Sequence, residues 1–477
     1  MTFQPTAMPA SYRFAFDGNN HVRFAVDGDQ LGPDLRFTVN DYALATAFGV
    51  ALHPALADIV DIAVAVYVVD RLAPRRPAHA DRYHLYWTRH IRMQLPLRVP
   101  NLWINTELGR RLHRLLRSLT EDLWEFEFLT RSGRPRPSET MRTLLQTQPV
   151  EPVTVGLFSG GLDSLAGACR ELLDPTGGTL FLISGRTNSR LGARQKVLSQ
   201  QLCRKTHRDV RPLVIEFGLR DRGGKQGEDE PSQRSRGFIF PVLAAVAALL
   251  AGASEIQVYE PGIGAINLPY TDAQLGAQAT RATDPRMLLA LSEFVTMASG
   301  RPFSVRAPYL FATKAELCRS IAALGVSDLA IETVSCDNVS LRVKDHTHCG
   351  LCTSCLLRRQ GLYGAGLGDL DRGCGIYKDD VLAGPSAVRF EKLYYLRAMD
   401  HQARKLEYAL AMADPWQKLG RMYPQLVEIA FALAGTDRPL QAVESEIVDL
   451  YRRYCVEWAD FRASIPRALA SWTGAGR

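Results

Sequence analysis

The sequence predicts an α/β protein built around a doubly wound parallel sheet, with a smaller α/β unit before it and helices after it. Three observations predict this. Between about residues 150 and 375, short apolar runs alternate with helix-length stretches, the order that sets parallel strands between layers of helices. A glycine-rich turn joins the first of these strands to the helix that follows it. On either side the pattern changes, to period-two alternation before and helical spacing after.

The elements follow in order. In residues 1–148, Tyr12–Phe16, Val22–Val26, Leu35–Val39 and Ile91–Leu95 alternate like strands, and Ile59–Leu72 has apolar residues at helical spacing. Thr106–Leu119 reads as an amphipathic helix whose arginines 110, 111, 114 and 117 form a solvated face. Arg131–Gln148 reads as a linker. Residues 149–375 carry strands at Val153–Phe158, Thr179–Ile183, Leu213–Phe217 and Glu255–Tyr259, with helices at Ser164–Leu173, Phe238–Ala251 and Thr313–Leu324. The polar, glycine-rich stretch Arg220–Arg236 is expected to be a mobile loop over a site. Residues 376–477 are expected to be a helical extension, with helices at Phe390–Ala413 and Leu440–Ala459.

Composition sets outer limits. The chain has 477 residues, enough for two or three domains. Its net charge of +7 suits a polyanionic ligand but is too weak to indicate nucleic acid. Residues 1–13 lack the order of a secretion signal, so a cytoplasmic location is expected. The long uncharged stretch Gly237–Ser254 contains Pro241 and Gly252 and reads as a buried helix rather than a membrane span.

Ser159-Gly160-Gly161-Leu162-Asp163-Ser164 lies between a strand and a helix. The two glycines let the backbone turn tightly and approach a ligand. The helix start offers N–H groups and a positive dipole end to an anion, and Ser159 and Ser164 add hydroxyls. The Gly-Lys-Ser/Thr of the Walker loop is absent; the whole hexapeptide between strand and helix is expected to be a nucleotide loop of another kind, an ordinary glycine turn being the alternative. Asp163, which repels phosphate, is expected to hold Mg²⁺ or to fix the loop.

Nine cysteines occur, and Cys336, Cys349, Cys352 and Cys355 follow a C-x₁₂-C-x₂-C-x₂-C spacing. Four soft thiolates suit tetrahedral Zn²⁺ in a closed, structural site; an iron–sulfur cluster is the competing use. His346 and His348 are expected to be solvated loop histidines.

The hexapeptide resembles the signature of the PP-loop ATP pyrophosphatases, which cleave ATP between the α- and β-phosphates. Cys349-Gly350-Leu351-Cys352-Thr353-Ser354-Cys355-Leu356-Leu357-Arg358, then Gly361-Leu362, resembles the zinc segment of the QueC family of 7-cyano-7-deazaguanine synthases. Thr333-Val334-Ser335-Cys336, Ala307-Pro308 with Lys314-Ala315-Glu316, and Arg236 agree with that family's other motifs, although Gly237 stands where the family has asparagine. The resemblance spans about residues 153–366 and implies a zinc module at 336–359. It further implies adenylation of a carboxylate, 7-carboxy-7-deazaguanine or an analogue, followed by transfer to an amine. Asp163, Lys314 and Arg236 are then catalytic, and Ser159, Gly160, Gly161, Leu162, Asp163 and Ser164 bind ATP. The implied cofactors are ATP, Mg²⁺ and Zn²⁺. The family's Tyr-Pro-Asp-Cys-type segment is replaced by Glu260–Pro269 and Arg281–Arg286, which makes Glu260, Asn267 and Arg281 the substrate-facing candidates.

The added flanks resemble the QueC-like subunits of bacterial antiphage systems of the QatC type, which implies operon-encoded protein partners. A domain with a core but no catalytic cluster is most simply a recognition surface, and stabilising the core or forming a homo-oligomer is the alternative. Two other functions compete: a tRNA-modifying PP-loop enzyme of the thiolase or lysidine synthetase kind, and an ATP-binding scaffold without catalysis. No basic run with interleaved aromatics favours nucleic acid as a direct substrate.

Overall fold

The computed structural model describes residues 10–26, 28–75, 88–142, 151–186, 189–220, 230, 232, 234–271, 281–337, 347–372, 375–383, 393–435 and 438–466. In chain order the first zone contains β1 (Ser11–Phe16), β2 (His21–Val26), β3 (Leu35–Val39), α1 (Tyr42–Phe48), α2 (Pro54–Leu72), β4 (His90–Leu97), α3 (Glu107–Thr120), β5 (Leu123–Thr130) and the single turn α4 (Pro137–Thr140). The middle zone contains β6 (Thr154–Leu157), α5 (Leu162–Leu172), β7 (Leu180–Arg186), α6 (Ser189–Thr206), β8 (Val210–Leu219), α7 (Arg236–Leu250), β9 (Glu255–Gln257), α8 (Gly262–Ile266), α9 (Pro285–Ser299), β10 (Ser304–Arg306), α10 (Lys314–Ala323), α11 (Leu329–Glu332) and α12 (Thr353–Gly364). The last zone contains α13 (Tyr394–Leu410), α14 (Pro415–Met422), α15 (Pro424–Leu433) and α16 (Leu440–Ser464).

The strands form one sheet in the order β10-β9-β6-β7-β8-β3-β2-β1-β4-β5. The first five are mutually parallel, and helices cover both faces. Along β7 the faces alternate: Leu180 and Leu182 pack with α5 and α10, while Phe181 and Ile183 pack into the core that holds α2, α7 and α9. The β-strands of the first zone do not form a separate sheet. Phe37 to Val39 pair antiparallel with Leu219 to Phe217 at the end of β8, a ten-residue strand longer than the five residues expected. One core therefore runs from Tyr12 to Val305.

The expected helix at 238–251 is α7, buried against α2 as an internal helix. Among the described residues, no helix is long and apolar enough to cross a membrane. Two loop expectations change. Within 220–236, residues 221–229, 231 and 233 lie outside the described residues, and the rest is pinned rather than free over a site. Ser235 donates from its N–H and hydroxyl to buried Asp70 (2.9 and 2.6 Å), and Glu230 accepts from the Arg75 N–H (2.7 Å). Arg89, fully buried, binds Asp70 (2.7 Å) and Asp122 (2.6 Å) in the same network. The expected linker 131–148 is described to residue 142, and it too is tied down, by Arg136 to Asp61 (2.6 Å) and Ser138 to Asp41 (2.8 Å). The sequence did not show these anchors because their partners lie far away along the chain. His346 and Cys374 lie outside the described residues, as do residues 390–392 of the expected helix at 390–413.

The helices α13–α16 share a core with the cleft wall rather than standing apart. Ile263, Ile266, Leu268, Leu310 and Leu356 pack with Leu406, Leu450, Trp458 and Phe461. Gln402 of α13 donates to the carbonyls of Leu268 (3.2 Å) and Pro269 (2.9 Å).

Candidate active site and metal centre

The site forms where β6 gives way to α5. Gly160 adopts φ +78°, which an L side chain resists, and a Cβ there would lie 3.1 Å from Gln195. A Cβ on Gly161 would lie 3.2 Å from Ser159 Oγ and 3.3 Å from the Val334 carbonyl. The loop is held from inside and outside. Gly161 N–H donates to Ser159 Oγ (3.2 Å), Ser164 Oγ to the Gly161 carbonyl (2.9 Å), and Gln195 Nε2 to the Ser159 carbonyl (3.0 Å).

Asp163 sits in the first turn of α5. Lys314, first residue of α10, reaches it across the packed helix pair and donates to both carboxylate oxygens at 2.5 Å. Thr313 and Glu316 cap α10 reciprocally and so fix where Lys314 starts. The stem of Lys314 lies along Gly361 of α12, where a Cβ would come within 2.6 Å of Lys314 Cγ. Burial disfavours the ammonium, but Asp163 and Glu260 outweigh it and raise the lysine's pKa.

Glu260 leaves the end of β9 and faces this pair. Gly264 leaves room for its carboxyl, since a Cβ there would collide with Oε1. Burial, and then the charge of Asp163, push Glu260 up to about 8. Ser159, Asp163, Glu260 and Thr283 stand at the junction of two cavities. One, of about 190 Å³, has mainly apolar walls that include Leu157, Ile183, Phe240 and Val258. The other, a polar cleft of about 510 Å³, is lined by Lys314, Asn267, Tyr270, Ser335, Cys336 and Asp337.

The remaining expected residues divide. Arg236 borders the apolar cavity, with its guanidinium 5.2 Å from the ring centre of Phe240. The glycine after it has a packing reason, because a Cβ on Gly237 would lie 2.8 Å from Ala282 Cα. Asn267 borders the cleft and ends α8 in a left-handed conformation, φ +48°. Arg281 does not face the cleft. It donates to Glu121 (2.8 Å) and to the Ser118 carbonyl (2.9 Å) at the end of α3, so its charge is committed to the first zone.

The four thiols of Cys336, Cys349, Cys352 and Cys355 lie within 4.8 Å of one another, a donor set that fits a tetrahedral Zn²⁺. Gly350, at φ +87°, makes the knuckle, and a Cβ there would collide with the Asp379 carbonyl. This centre touches the Ser159–Ser164 loop through three residues that sequence reasoning gave no role. Val334 N–H donates to the Gly160 carbonyl (3.0 Å), and Leu162 N–H donates to Ser335 Oγ (3.1 Å). His348 Nε2 accepts the Ser335 N–H (3.2 Å). His348 is therefore not a solvated loop residue: it is 2% exposed, and burial holds it neutral, with its pKa down to about 3. Thr333–Cys336 was legible as a motif, but what its backbone bonds to was not.

A family model described as queuosine biosynthesis protein QueC matches residues 283–366. The 7-cyano-7-deazaguanine synthase of Anaeromyxobacter sp. (strain Fw109-5) is 32% identical over 239 residues, covering 45% of this chain and 93% of that protein. The synthase of Pelobacter propionicus is 30% identical over 232 residues, covering 46% of this chain and 97% of its own length. That of Dechloromonas aromatica is 30% identical over 240 residues, covering 45% and 95%.

Proposed function

The chain belongs to the QueC family of PP-loop proteins, and from that premise we propose that it uses ATP to activate a carboxylate for attack by an amine. The observation that carries this is the Asp163–Lys314 pair at the junction of an apolar cavity with a polar cleft, beside the Ser159–Ser164 loop. In this reading the apolar cavity takes the adenosine and the cleft takes 7-carboxy-7-deazaguanine or an analogue. The carboxylate oxygen attacks the α-phosphorus, the bond to the β-phosphate breaks, and pyrophosphate leaves. Lys314 stabilises the charge that grows on the departing phosphates. An amine nitrogen then attacks the acyl carbon, AMP leaves with the electron pair of the C–O bond, and the nitrogen gives up a proton. Asp163 and Glu260, the latter giving up its proton to do so, are the hard oxygen donors that would hold Mg²⁺, which neutralises phosphate charge when bound. The four cysteines would hold Zn²⁺ as a structural ion.

The amine is ammonia, or a group on a partner protein in an antiphage system. The second choice is supported by length, because the relatives cover less than half of this chain. Incubation with ATP, Mg²⁺ and 7-carboxy-7-deazaguanine, with ammonia or with candidate partners, is read by mass spectrometry. AMP and pyrophosphate are expected, and Asp163→Ala is expected to abolish both while the protein stays folded. Release of ADP would rule the reaction out. With ammonia the steps above end at an amide, and a nitrile needs a second ATP to adenylate the amide oxygen, after which AMP leaves with that oxygen and the nitrogen gives up its two protons. A partner whose mass never changes, beside brisk nitrile formation from ammonia, would leave a simple nitrile synthase.

A further inference from the structure

The last helix reaches the site through its side chains. Arg453 and Glu457 stand one turn apart on α16 and so share a face. Arg453 donates to the Phe311 carbonyl (2.6 Å) and pairs with Glu316 (2.8 Å). Glu457 Oε1 accepts from the Thr313 hydroxyl (2.7 Å), and Oε2 accepts from Gln360 Nε2 (3.1 Å). Thr313 and Gln360 are both buried.

These two partners are the residues immediately before Lys314 and immediately before Gly361. Thr313 is the cap from which Lys314 departs, and Gly361 is the surface along which the Lys314 stem lies. A leucine at 457 would fill space, whereas a half-buried carboxylate is costly unless its oxygens are used, and both are used here. α16 also lies outside the residues matched by the family model.

We propose that Glu457 is a positioning residue for Lys314: its carboxylate clamps the cap of α10 to α12 and fixes the lysine against Asp163. This rests on the role given to Lys314 in the proposed reaction. The clamp makes the C-terminal helices part of the catalytic apparatus without touching substrate.

The test is a double-mutant cycle on the full chain, with pyrophosphate release, ATP affinity and melting temperature measured together. Glu457→Ala is expected to lower kcat about ten- to a hundredfold, with KM for ATP held within about twofold. In a Lys314→Ala background the same change is expected to cost less than about twofold, because the group it positions is gone. Equal losses in both backgrounds, or an unchanged kcat, would overturn the proposal. If the alanine variant is insoluble, Glu457→Gln carries the cycle, since it keeps the acceptor for Thr313 and sets an amide nitrogen against Gln360. If the wild-type protein releases no pyrophosphate, the proposed reaction falls and the clamp is read instead in the protection of the Lys314 amine from acetic anhydride, by peptide mass spectrometry on the full chain. More labelling of Lys314 in the Glu457 variant, at an unchanged melting temperature, supports the clamp, and unchanged labelling overturns it.

Discussion

Lys314 keeps its charge in a buried place because Asp163 first, and Glu260 second, outweigh the burial; Glu260, which Lys314 pulls down, stands high all the same. Its carboxyl stands at about 8 against an ordinary 4.5, through burial first and the charge of Asp163 second. A group whose pKa rises on folding holds its proton more tightly in the folded state. Its contribution to stability is complete below about 4.5 and is lost as pH climbs through about 8. Glu260→Gln removes that dependence. The variant is expected to gain melting temperature relative to wild type between pH 5 and 8.5, which scanning calorimetry at the two values would detect. A difference that stays constant with pH would contradict the assignment. At this scale Asp163 and the four cysteines were legible, because their chemistry is written in consecutive or closely spaced residues, and Lys314 was legible only through the family resemblance. Ser335 and His348 were not. Ser335 acts by receiving a backbone N–H, and His348 owes its state to burial, and neither leaves a pattern in sequence.

The four-cysteine centre joins two segments that are apart in the chain. Cys352 stands immediately before α12, Cys336 ends the segment that touches the Ser159–Ser164 loop, and Ser354 in the first turn of α12 donates to Asp337 (2.7 and 2.8 Å). Structural zinc contributes ~10 kcal/mol or more to folding in small metal domains, on the order of a whole domain's stability. About one zinc per chain is expected by metal analysis, and Cys352→Ser is expected to give insoluble or heat-labile protein. Chelation that leaves the melting temperature unchanged would count against a structural role. The elements themselves were unevenly legible. β1–β4 and β6–β9 showed as apolar alternation or apolar runs. α6, Ser189–Thr206, is polar along much of its length and gave no clear stripe, and β5, Leu123–Thr130, alternates but lies directly behind a helix that drew the pattern.

At the scale of the molecule, the flanks and the middle share cores. Removing residues 376–477 would uncover Ile263, Ile266, Leu268, Leu310 and Leu356. At ~1.5–3 kcal/mol for each buried aliphatic side chain, the five together lose ~10 kcal/mol, which rivals the ~5–15 kcal/mol that holds a domain folded. Removing residues 1–148 would bare the end of β8 along the edge that β3 now covers. The middle zone expressed alone, residues 149–375, is therefore expected to be insoluble. A soluble, cooperatively melting fragment on gel filtration would show that the flanks are dispensable to its fold.

The sequence by itself determined the α/β class and the spacing of the Ser159–Ser164 loop and of the four cysteines, because each is specified by neighbouring residues or by the period of one element; Lys314 was singled out only through the family resemblance, and its contact with Asp163 came from the structure. The tertiary structure decided that ten strands make one sheet and that Arg281 belongs to α3 and not to the cleft. It also decided that Glu457 reaches Thr313 across 144 residues. Such pairings depend on which apolar surfaces the chain buries together, and a residue's own neighbours in sequence do not encode that choice.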